Sequence, residues 1–368
     1  MNFSYYNPTQ IFFGRDCLFA HPEVFRECGK KALIVTGRHS ARKNGSLDAV
    51  CAVLKEQNQS WCIFDRTVTN PTIPSVREGL ALLKEEKADF VIGIGGGSPM
   101  DTAKAISFLA NQDIPDEKLF DGTCYQDKTL PLLMVPTTSG TGSEVTEYAV
   151  LMNDAAKSKS SISTPYLYPK AAFLDPAFTL GVGTATTRWT AIDALSHSVE
   201  GILSKQGDPM ITAIALSGIQ AFSRCRKALA LGTFSYEDRE SLMYCSLLGG
   251  LVLAHTSTTA VHAMGYSLTY YKGIPHGRAN GICLGGYLRL TETVYPETVK
   301  SILDALGMKD SLEFQACLDQ LLGEKELISE EEIQTYSEEV SGRRNIPNSL
   351  LPPAKEQIAQ IYREGFGL

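Results

Sequence analysis

The segment AIDALSHSVE contains a carboxylate and an imidazole four residues apart, Asp193 and His197. On a helix this spacing places both side chains on one face, one turn apart. The neighbours Trp189, Leu195 and Val199 are apolar, so we expect the pair to be buried, where a carboxylate needs a hydrogen-bond partner or a metal. The spacing leaves two interpretations open: a buried hydrogen-bonded pair, or two ligands of a metal ion.

Two further histidines lie in uncharged or glycine-rich surroundings, His262 in AVHAMGYSL and His276 in GIPHGRANG. Three imidazoles and one carboxylate form a donor set that binds divalent first-row metals and leaves a coordination position open for a substrate. Sequence spacing alone does not show that these histidines join the first pair. His21, His39 and His255 have no such pattern and are interpreted as ordinary core or surface residues.

The stretch GIGGGSPMDTAKA, at 93–105, is a second chemical feature, because its glycines follow an apolar run and precede a helical pattern. Glycine permits close backbone approach, and the N–H groups at a helix start favour a pyrophosphate. The spacing departs from the usual G-x-G-x-x-G, so a tight turn without a ligand is the alternative. A second polar loop, PTTSGTGSE at 136–144, also follows a strand pattern. Two such loops at the carboxyl ends of parallel strands favour a nucleotide site.

Strand and helix patterns alternate through the first half of the chain. Apolar runs predict five strands, at 30–37, 60–65, 89–94, 130–138 and 171–176. Helical spacing predicts helices between them, and such alternation indicates a parallel sheet covered on both faces. Strand patterns disappear after Pro176. We therefore predict an α/β N-terminal dinucleotide-binding domain of residues 1–178 and an all-α C-terminal domain of residues 179–368.

Composition narrows the class of protein. The chain has 368 residues and a net charge of −7, which argues against a nucleic-acid partner. Its nine cysteines form no Cys-x-x-Cys pair, which argues against a disulfide framework and favours the cytoplasm. The N-terminus has no signal-peptide pattern. Polar residues interrupt the uncharged segment 245–271, which we interpret as buried helix instead of a membrane span.

The joint order of these motifs resembles the iron-containing (group III) alcohol dehydrogenases, in particular the butanol- and 1,3-propanediol-dehydrogenase-like members. The resemblance runs nearly end to end, through YNPTQIFFG, GGGSPMDTAK, PTTSGTGSEVT, AFLDP, AIDALSHSVEG and VHAMGYSLTYYKGIPHGRANG. It implies the dehydroquinate synthase-like fold of that family, with the site in the cleft between the two domains. It also implies Fe(II) as the metal, with zinc as an alternative that the same ligands accept.

The resemblance assigns roles to individual residues. The metal ligands at the catalytic centre are expected to be Asp193, His197, His262 and His276. Residues 96–98, which are Gly96, Gly97 and Ser98, are expected to bind the pyrophosphate. Further cofactor contacts are expected from Asn70, Asp101, Thr137, Thr138, Ser143 and, near the nicotinamide ribose, Lys159.

Two positions depart from the family pattern. Tyr266 stands where some members carry another histidine, so a proton-relay role is not transferred to it. Gly37 follows the first predicted strand, where NAD-using members often carry an aspartate. Because no carboxylate repels a 2′-phosphate there, and Arg38, Ser40 and Lys43 are close in sequence to receive one, we expect NADP(H) to be favoured over NAD(H). The alternative is that Arg38 and Lys43 are ordinary solvated charges.

These observations predict a metal-dependent alcohol dehydrogenase that transfers hydride between a small primary alcohol or aldehyde and NAD(P). We expect a cytoplasmic homodimer or larger homo-oligomer without nucleic-acid or membrane partners. The alternatives are a glycerol-type or phospho-substrate dehydrogenase, a dehydroquinate-synthase-like cyclase, and a catalytically silent nucleotide-binding protein. Only Lys272 and Arg278 lie near the ligand motifs to receive a substrate phosphate, and a silent protein has no need of four ligands.

Overall fold

The computed structural model of the chain describes residues 3–368 and divides them into two compact units. The α/β unit consists of Tyr6–Thr138 and Gly142–Val182. The helical unit consists of Gly183–Leu368, the short segment Ser139–Thr141 and the N-terminal residues up to Tyr5.

The division after Val182 lies four residues beyond the predicted boundary at 178. Hydrogen bonds explain the difference, because they hold the turn Pro176–Thr179 in the α/β unit. The Asp175 carboxylate accepts from the backbone N–H of Ala177 and of Asp16, and Asn44 donates to the carbonyl of Phe178. The first helix of the other unit begins only at Thr184.

The described part of the α/β unit contains eight strands: Gln10–Phe13 (β1), Lys31–Thr36 (β2), Ser60–Phe64 (β3), Phe90–Gly95 (β4), Leu132–Pro136 (β5), Tyr148–Asn153 (β6), Ser158–Ser163 (β7) and Ala171–Leu174 (β8). Six of them form a parallel sheet in the order β1–β8–β5–β4–β2–β3, and β6 pairs antiparallel with β7. The helices of the α/β unit are Cys17–Ala20 (α1), Glu23–Arg26 (α2), Ser40–Lys43 (α3), Ser46–Glu56 (α4), Ile73–Glu86 (α5) and Gly97–Leu109 (α6).

Five of the six strands of the parallel sheet follow the predicted apolar runs, and the short edge strand β1 lies outside them. β4 and β5 are buried along their whole length, as expected for a parallel sheet with both faces covered. The β6–β7 hairpin is absent from the prediction because β7 reads SKSSIS, in which Ile162 is the sole large apolar residue. A polar strand with one buried apolar side chain gives no apolar run for a sequence pattern to detect.

The strand order reverses between β2 and β4, since the chain continues from β2 to β3 on one side and β4 lies on the other. In parallel sheets of this kind, ligands bind outside the carboxyl ends of the strands at such a reversal. Gly37 follows β2 and Gly96 follows β4 at that end of the sheet. The predicted cofactor loops therefore lie at the position that this topology favours for a nucleotide.

The described part of the helical unit contains ten helices: Thr184–Ile202 (α7), Pro209–Arg224 (α8), Arg226–Leu231 (α9), Tyr236–Thr256 (α10), Ala260–Lys272 (α11), His276–Glu292 (α12), Pro296–Leu306 (α13), Ser311–Leu322 (α14), Glu330–Ser341 (α15) and Lys355–Phe366 (α16). Helix α7 packs against α8, α10 and α12 in one continuous apolar core. The approach of α12 to α7 is close: a Cβ on Gly277 would lie 2.0 Å from the carbonyl oxygen of Trp189. Glycine is therefore required where the two helices meet.

The uncharged segment 245–271 forms the end of α10 and most of α11, separated by residues 257–259. Ser257 in this break has a positive φ of 58°, which ends α10 sharply. None of the helices within residues 3–368 combines the length and hydrophobicity needed to cross a bilayer.

Candidate metal centre and dinucleotide loops

Three helices carry the four predicted metal ligands. Asp193 and His197 lie on α7, His262 lies in the first turn of α11, and His276 is the first residue of α12. Helix α11 ends at Gly273 in the left-handed conformation, and Pro275 precedes α12. A glycine stop followed by a proline reverses the chain within three residues, which explains how His276 returns to His262.

Three of the four predicted ligands form one group, and His197 adjoins this group through His262. Asp193, His262 and His276 each have a donor atom within 4.8 Å of those of the other two. The Asp193 Oδ1 lies 3.7 Å from His262 Nε2 and 3.6 Å from His276 Nε2, and the Nε2 atoms of His197 and His262 are 3.1 Å apart. Asp193, His197 and His262 are buried, whereas His276 is partly exposed. This is a compact carboxylate–imidazole cluster whose donor set suits a divalent first-row metal.

Glu200 binds the opposite side of His262. Its carboxylate lies two turns after Asp193 on α7 and forms a short hydrogen bond with His262 Nδ1. It also accepts from the Thr259 hydroxyl at 2.6 Å, from the Thr259 N–H at 3.0 Å and from the His262 N–H at 3.3 Å. The carboxylate therefore fixes both the start of α11 and the orientation of the imidazole, the arrangement common behind metal-binding histidines.

The electrostatics favour the metal-binding protonation state of Asp193, Glu200 and His197. Burial raises the pKa of the Asp193 carboxyl, but His276, His197 and His262 outweigh burial and hold that pKa below its usual value. Burial likewise raises the pKa of Glu200, and His262 together with the hydrogen bonds to Glu200 makes the net change a lowering. Burial lowers the pKa of His197 to about 4, so this imidazole is neutral near neutral pH. Ionised carboxylates and neutral imidazoles are the forms that bind metals.

Asn280 lies among the ligand atoms, one turn after His276. Its Nδ2 donates to Asp193 Oδ1 at 2.9 Å and lies 3.1 Å from His262 Nε2 and 3.4 Å from His276 Nε2. A Cβ on Gly265 would lie 2.2 Å from the amide oxygen, so glycine at that position leaves room for Asn280. The amide therefore joins α12 to ligands on α7 and α11.

Tyr266 is the aromatic neighbour of the cluster. Its ring stacks on His276 with centroids 5.5 Å apart and meets His262 edge-on at 6.1 Å. His255, by contrast, pairs with Asp208 at 3.1 Å and stacks on Tyr5. The Tyr266 ring therefore contacts two of the predicted ligands, whereas His255 lies in a separate contact.

The glycine loop joins β4 to α6 and lies directly beside the second polar loop. Thr137 N–H donates to the Gly95 carbonyl at 2.8 Å. A Cβ on Gly96 would lie 2.9 Å from the Thr138 hydroxyl, so a side chain at residue 96 would collide with the neighbouring loop. Ser98 stands in the first turn of α6 and accepts from the Asn70 N–H at 3.3 Å. These contacts bring Asn70, residues 96–98 and residues 137–138 together.

The second polar loop is divided between the two units. Thr137, Thr138 and Ser143 belong to the α/β unit, whereas Ser139–Thr141 belongs to the helical unit. The Ser143 hydroxyl donates to Asp101 Oδ1 at 2.7 Å, so these two predicted cofactor contacts bond to each other. Lys159, on β7, lies close enough to Asp101 to lower its pKa in opposition to burial, the larger effect, which raises it.

Gly37, Arg38 and Ser40 follow β2 at the same end of the sheet. Arg38 and Ser40 are exposed. A Cβ on Gly37 would meet one atom within 4 Å, the Ser40 hydroxyl at 3.8 Å, and its φ lies outside the left-handed region. The position therefore has room for a larger side chain, and glycine is not required by the backbone.

Sequence reasoning missed three residues of these sites: Glu200, Asn280 and Lys104. Each stands within a motif already recognised, but only helical spacing hints at its place. Glu200 is seven residues after Asp193, and Asn280 is four after His276, so each shares a helix face with a ligand. Lys104 reads as a charge following the glycine loop, yet it is fully buried.

Family comparisons cover nearly the whole chain. Residues 8–176 match the family described as iron-containing alcohol dehydrogenase, and residues 187–366 match the C-terminal part of the Fe-containing alcohol dehydrogenase family. The 1,3-propanediol dehydrogenase of Klebsiella pneumoniae is 35% identical over 319 residues, which cover 83% of this chain and 79% of that protein.

Solved structures give the same result. A crystal structure of an iron-containing alcohol dehydrogenase superposes with a TM-score of 0.93 at 37% identity, covering 100% of both chains. The sulfoacetaldehyde reductase of Bifidobacterium kashiwanohense, in complex with NAD+, superposes with a TM-score of 0.89 at 26% identity, covering 100% of this chain and 99% of that one. These likenesses, with the parallel sheet and the helical C-terminal half, confirm the predicted fold class.

Proposed function

This chain belongs to the iron-containing alcohol dehydrogenase family, and we propose that it transfers hydride reversibly between a small primary alcohol or aldehyde and NADP(H). The observation that carries the proposal is the cluster of one carboxylate and three imidazoles, in which His276 is partly exposed and the other three residues are buried. A carboxylate kept ionised beside several histidines is an arrangement that suits a catalytic metal.

In this proposal Asp193, His197, His262 and His276 hold the metal. Iron held there would supply a Lewis acid that polarises the oxygen of an alcohol or aldehyde. Glu200 keeps a proton on His262 Nδ1, because an ionised carboxylate only accepts hydrogen bonds. The lone pair of His262 is therefore left on Nε2, the atom that faces the other ligands.

The dinucleotide is proposed to bind at the switch point of the parallel sheet. The nicotinamide ring of the bound cofactor would carry the hydride. The N–H groups at the start of α6 are suited to the pyrophosphate. The proposed contacts are Gly37, Arg38, Ser40, Asn70, Gly96, Gly97, Ser98, Asp101, Thr137, Thr138, Ser143 and Lys159.

The residues after β2 of this chain support a preference for NADP(H). One similar protein, the sulfoacetaldehyde reductase, is solved in complex with NAD+. No carboxylate stands at Gly37, and the exposed Arg38, Ser40 and Lys43 follow it. Guanidinium, hydroxyl and ammonium groups are suitable partners for a 2′-phosphate.

Replacing Gly37 by aspartate is expected to lower the ratio of kcat/KM with NADPH to kcat/KM with NADH at least about tenfold, because like charges would oppose each other at the 2′-phosphate. The free space around Gly37 accommodates the side chain. Initial rates with both cofactors measure the ratio. Gly37→Asn is the matched control, since it adds the same volume without charge and should change the ratio less. A wild-type protein that prefers NADH would contradict the NADP(H) assignment.

Iron is proposed over zinc because of the family. We expect protein purified without oxygen and supplied with Fe(II) to be more active than protein purified in air, since ferric iron is inactive. Removal of the metal by a chelator should lower the rate at least about a hundredfold, and Fe(II) should restore it. Equal activity with and without oxygen, together with restoration by zinc alone, would overturn the choice of iron.

The two cations that lie near the ligand motifs in sequence, Lys272 and Arg278, are already paired. Lys272 bonds Glu332 at 2.7 Å. Arg278 bonds Glu326 at 2.9 Å and the carbonyls of Leu322 and Glu324. Cations already neutralised in this way are poorly available to a phosphate, which supports a small neutral alcohol or aldehyde as the substrate.

We also propose a cytoplasmic homodimer or larger homo-oligomer. The odd number of scattered cysteines supports a reducing compartment. The edge position of β1 offers a strand for pairing with a second copy. Light scattering coupled to size exclusion gives the mass that tests the oligomeric proposal, and a monomer would overturn it.

The test of the proposed activity is an anaerobic assay with Fe(II), butanal and NADPH or NADH, following the absorbance of the reduced nicotinamide. We expect oxidation of NADPH that depends on both aldehyde and metal. No turnover with either cofactor, across a panel of short alcohols and aldehydes, would favour the cyclase or phospho-substrate alternatives.

A further inference from the structure

We propose that Lys104 is a positioning residue for the dinucleotide site, whose ammonium holds residues 143–148 against helix α6. The inference rests on the proposed binding of a dinucleotide at the start of that helix. Lys104 follows the glycine loop on α6 and does not reach its surface, because 0% of the residue is exposed.

Hydrogen bonds of Lys104 attach a neighbouring segment of the chain to helix α6. Its Nζ donates to the Thr146 carbonyl at 2.7 Å, to the Thr146 hydroxyl at 3.0 Å and to the Tyr148 carbonyl at 2.8 Å. A lysine ammonium has three N–H donors, so these acceptors use all of them. All three acceptors belong to the segment that follows Ser143, and the bonds therefore fix that segment to the middle of α6.

A second contact one turn earlier on α6 completes the attachment. Asp101 accepts from the Ser143 hydroxyl at 2.7 Å and from the backbone of Val150. Asp101 and Lys104 are three residues apart and thus share one helix face. Asp101 therefore bonds the segment at Ser143 and just beyond it at Val150, and Lys104 bonds it between these points, at Thr146 and Tyr148.

Burial of the Lys104 ammonium is unfavourable, so packing alone does not explain a lysine at this position. Burial lowers the pKa of Lys104 to about 8, and the carboxylates of Asp101, Glu144 and Glu147 oppose that lowering. Burial raises the pKa of Glu144 to about 7. A methionine would fill a similar volume without burying an ammonium, which is unfavourable even when paired. The directional bonds of the ammonium are what methionine would not supply.

The attachment affects the cofactor site because proposed cofactor contacts lie both at the start of α6 and in the segment 143–148 that Lys104 bonds to this helix. Residues 96–98 open α6, and Ser143 begins the segment that Lys104 and Asp101 hold. In enzymes a misplacement of about 1 Å between interacting groups lowers activity up to about a hundredfold. Release of the segment is therefore expected to weaken dinucleotide binding without changing the metal cluster.

The test measures the dissociation constant of NADPH by cofactor fluorescence, on the Fe(II)-loaded protein under anaerobic conditions. Lys104→Met is expected to raise that constant about 10- to 100-fold. Thr146→Val, which removes one acceptor, should raise it by a smaller factor, and Thr146→Ser, which keeps the hydroxyl, should restore it. Metal content per chain and the KM for aldehyde at saturating NADPH should not change.

Ser107→Ala is the matched control. Ser107 is buried on the same helix, and its hydroxyl donates to the Leu130 carbonyl at 2.7 Å, away from residues 143–148. It should lower the melting temperature without changing the NADPH dissociation constant. If Lys104→Met only lowers the melting temperature and the folded variant binds NADPH as the wild type does, the inference is wrong. If the wild type binds neither NADPH nor NADH, the proposed function fails and the inference fails with it.

Discussion

Replacing His262 by alanine is expected to lower kcat/KM about a thousandfold and to reduce the metal bound per chain. The expectation follows from the position of His262 at the centre of the cluster, where its Nε2 lies 3.1 Å from His197 Nε2 and 3.7 Å from Asp193 Oδ1. A metal contributes several kcal/mol of charge stabilisation to such a transition state, and about 1.4 kcal/mol corresponds to a factor of ten in rate.

The measurement combines elemental analysis of the purified variant with initial rates at several Fe(II) concentrations. Because His262→Ala also leaves Glu200 without its imidazole partner, His276→Ala is a useful second variant. His276 is partly exposed and lies on α12, whereas Glu200 bonds the imidazole of His262. His21→Ala, in the α/β unit, is the control and should leave both metal and rate unchanged. Full activity of the two cluster variants would contradict the assignment of the metal site.

Replacing Glu200 by glutamine is expected to lower the affinity for the metal about 10- to 100-fold. The glutamine oxygen can keep the bonds from the Thr259 N–H and hydroxyl, and its NH2 group then faces His262 Nδ1. An NH2 group only donates, so Nδ1 would have to accept and the imidazole proton would move to Nε2. The tautomer that results presents no lone pair to the metal.

A metal titration followed by activity and by elemental analysis tests this expectation. Activity of Glu200→Gln should be low at limiting Fe(II) and recover in part at excess Fe(II), which a general loss of folding does not produce. Glu331→Gln, an exposed position on α15 in the same unit, is the control. If Glu200→Gln binds the metal as tightly as the wild type, then Glu200 does not govern the tautomer of His262.

The sequence allows the fold class to be predicted because its signals are local. Apolar runs such as β4 and the helical spacing of α4 and α5 identify the parallel sheet, and the loss of strand patterns after Pro176 identifies the helical half. The β6–β7 hairpin escapes because the polar β7 has no apolar run. The turn after Asp175 stays with the α/β unit through side-chain bonds of Asp175, which hydrophobic patterns do not reveal.

The candidate site is predictable only where its residues share one helix. Asp193 and His197 stand on α7, and their spacing alone puts them side by side. His262 and His276 come from other helices, so their convergence depends on close packing such as that at Gly277. Without the resemblance to a known family, nothing local links them. Glu200 and Lys104 act through contacts with residues 62 and about 42 positions away in sequence, which no local pattern encodes.

The most direct test of the account is to follow the hydride itself. Fe(II)-loaded protein is incubated without oxygen with butanal and NADPH that carries deuterium at both nicotinamide C4 positions, and the butanol is analysed by mass spectrometry. Direct transfer predicts butanol with one deuterium on C1 from the wild type and little product from His262→Ala. Butanol without deuterium, or NADPH oxidation without any alcohol, would contradict metal-assisted hydride transfer by this chain.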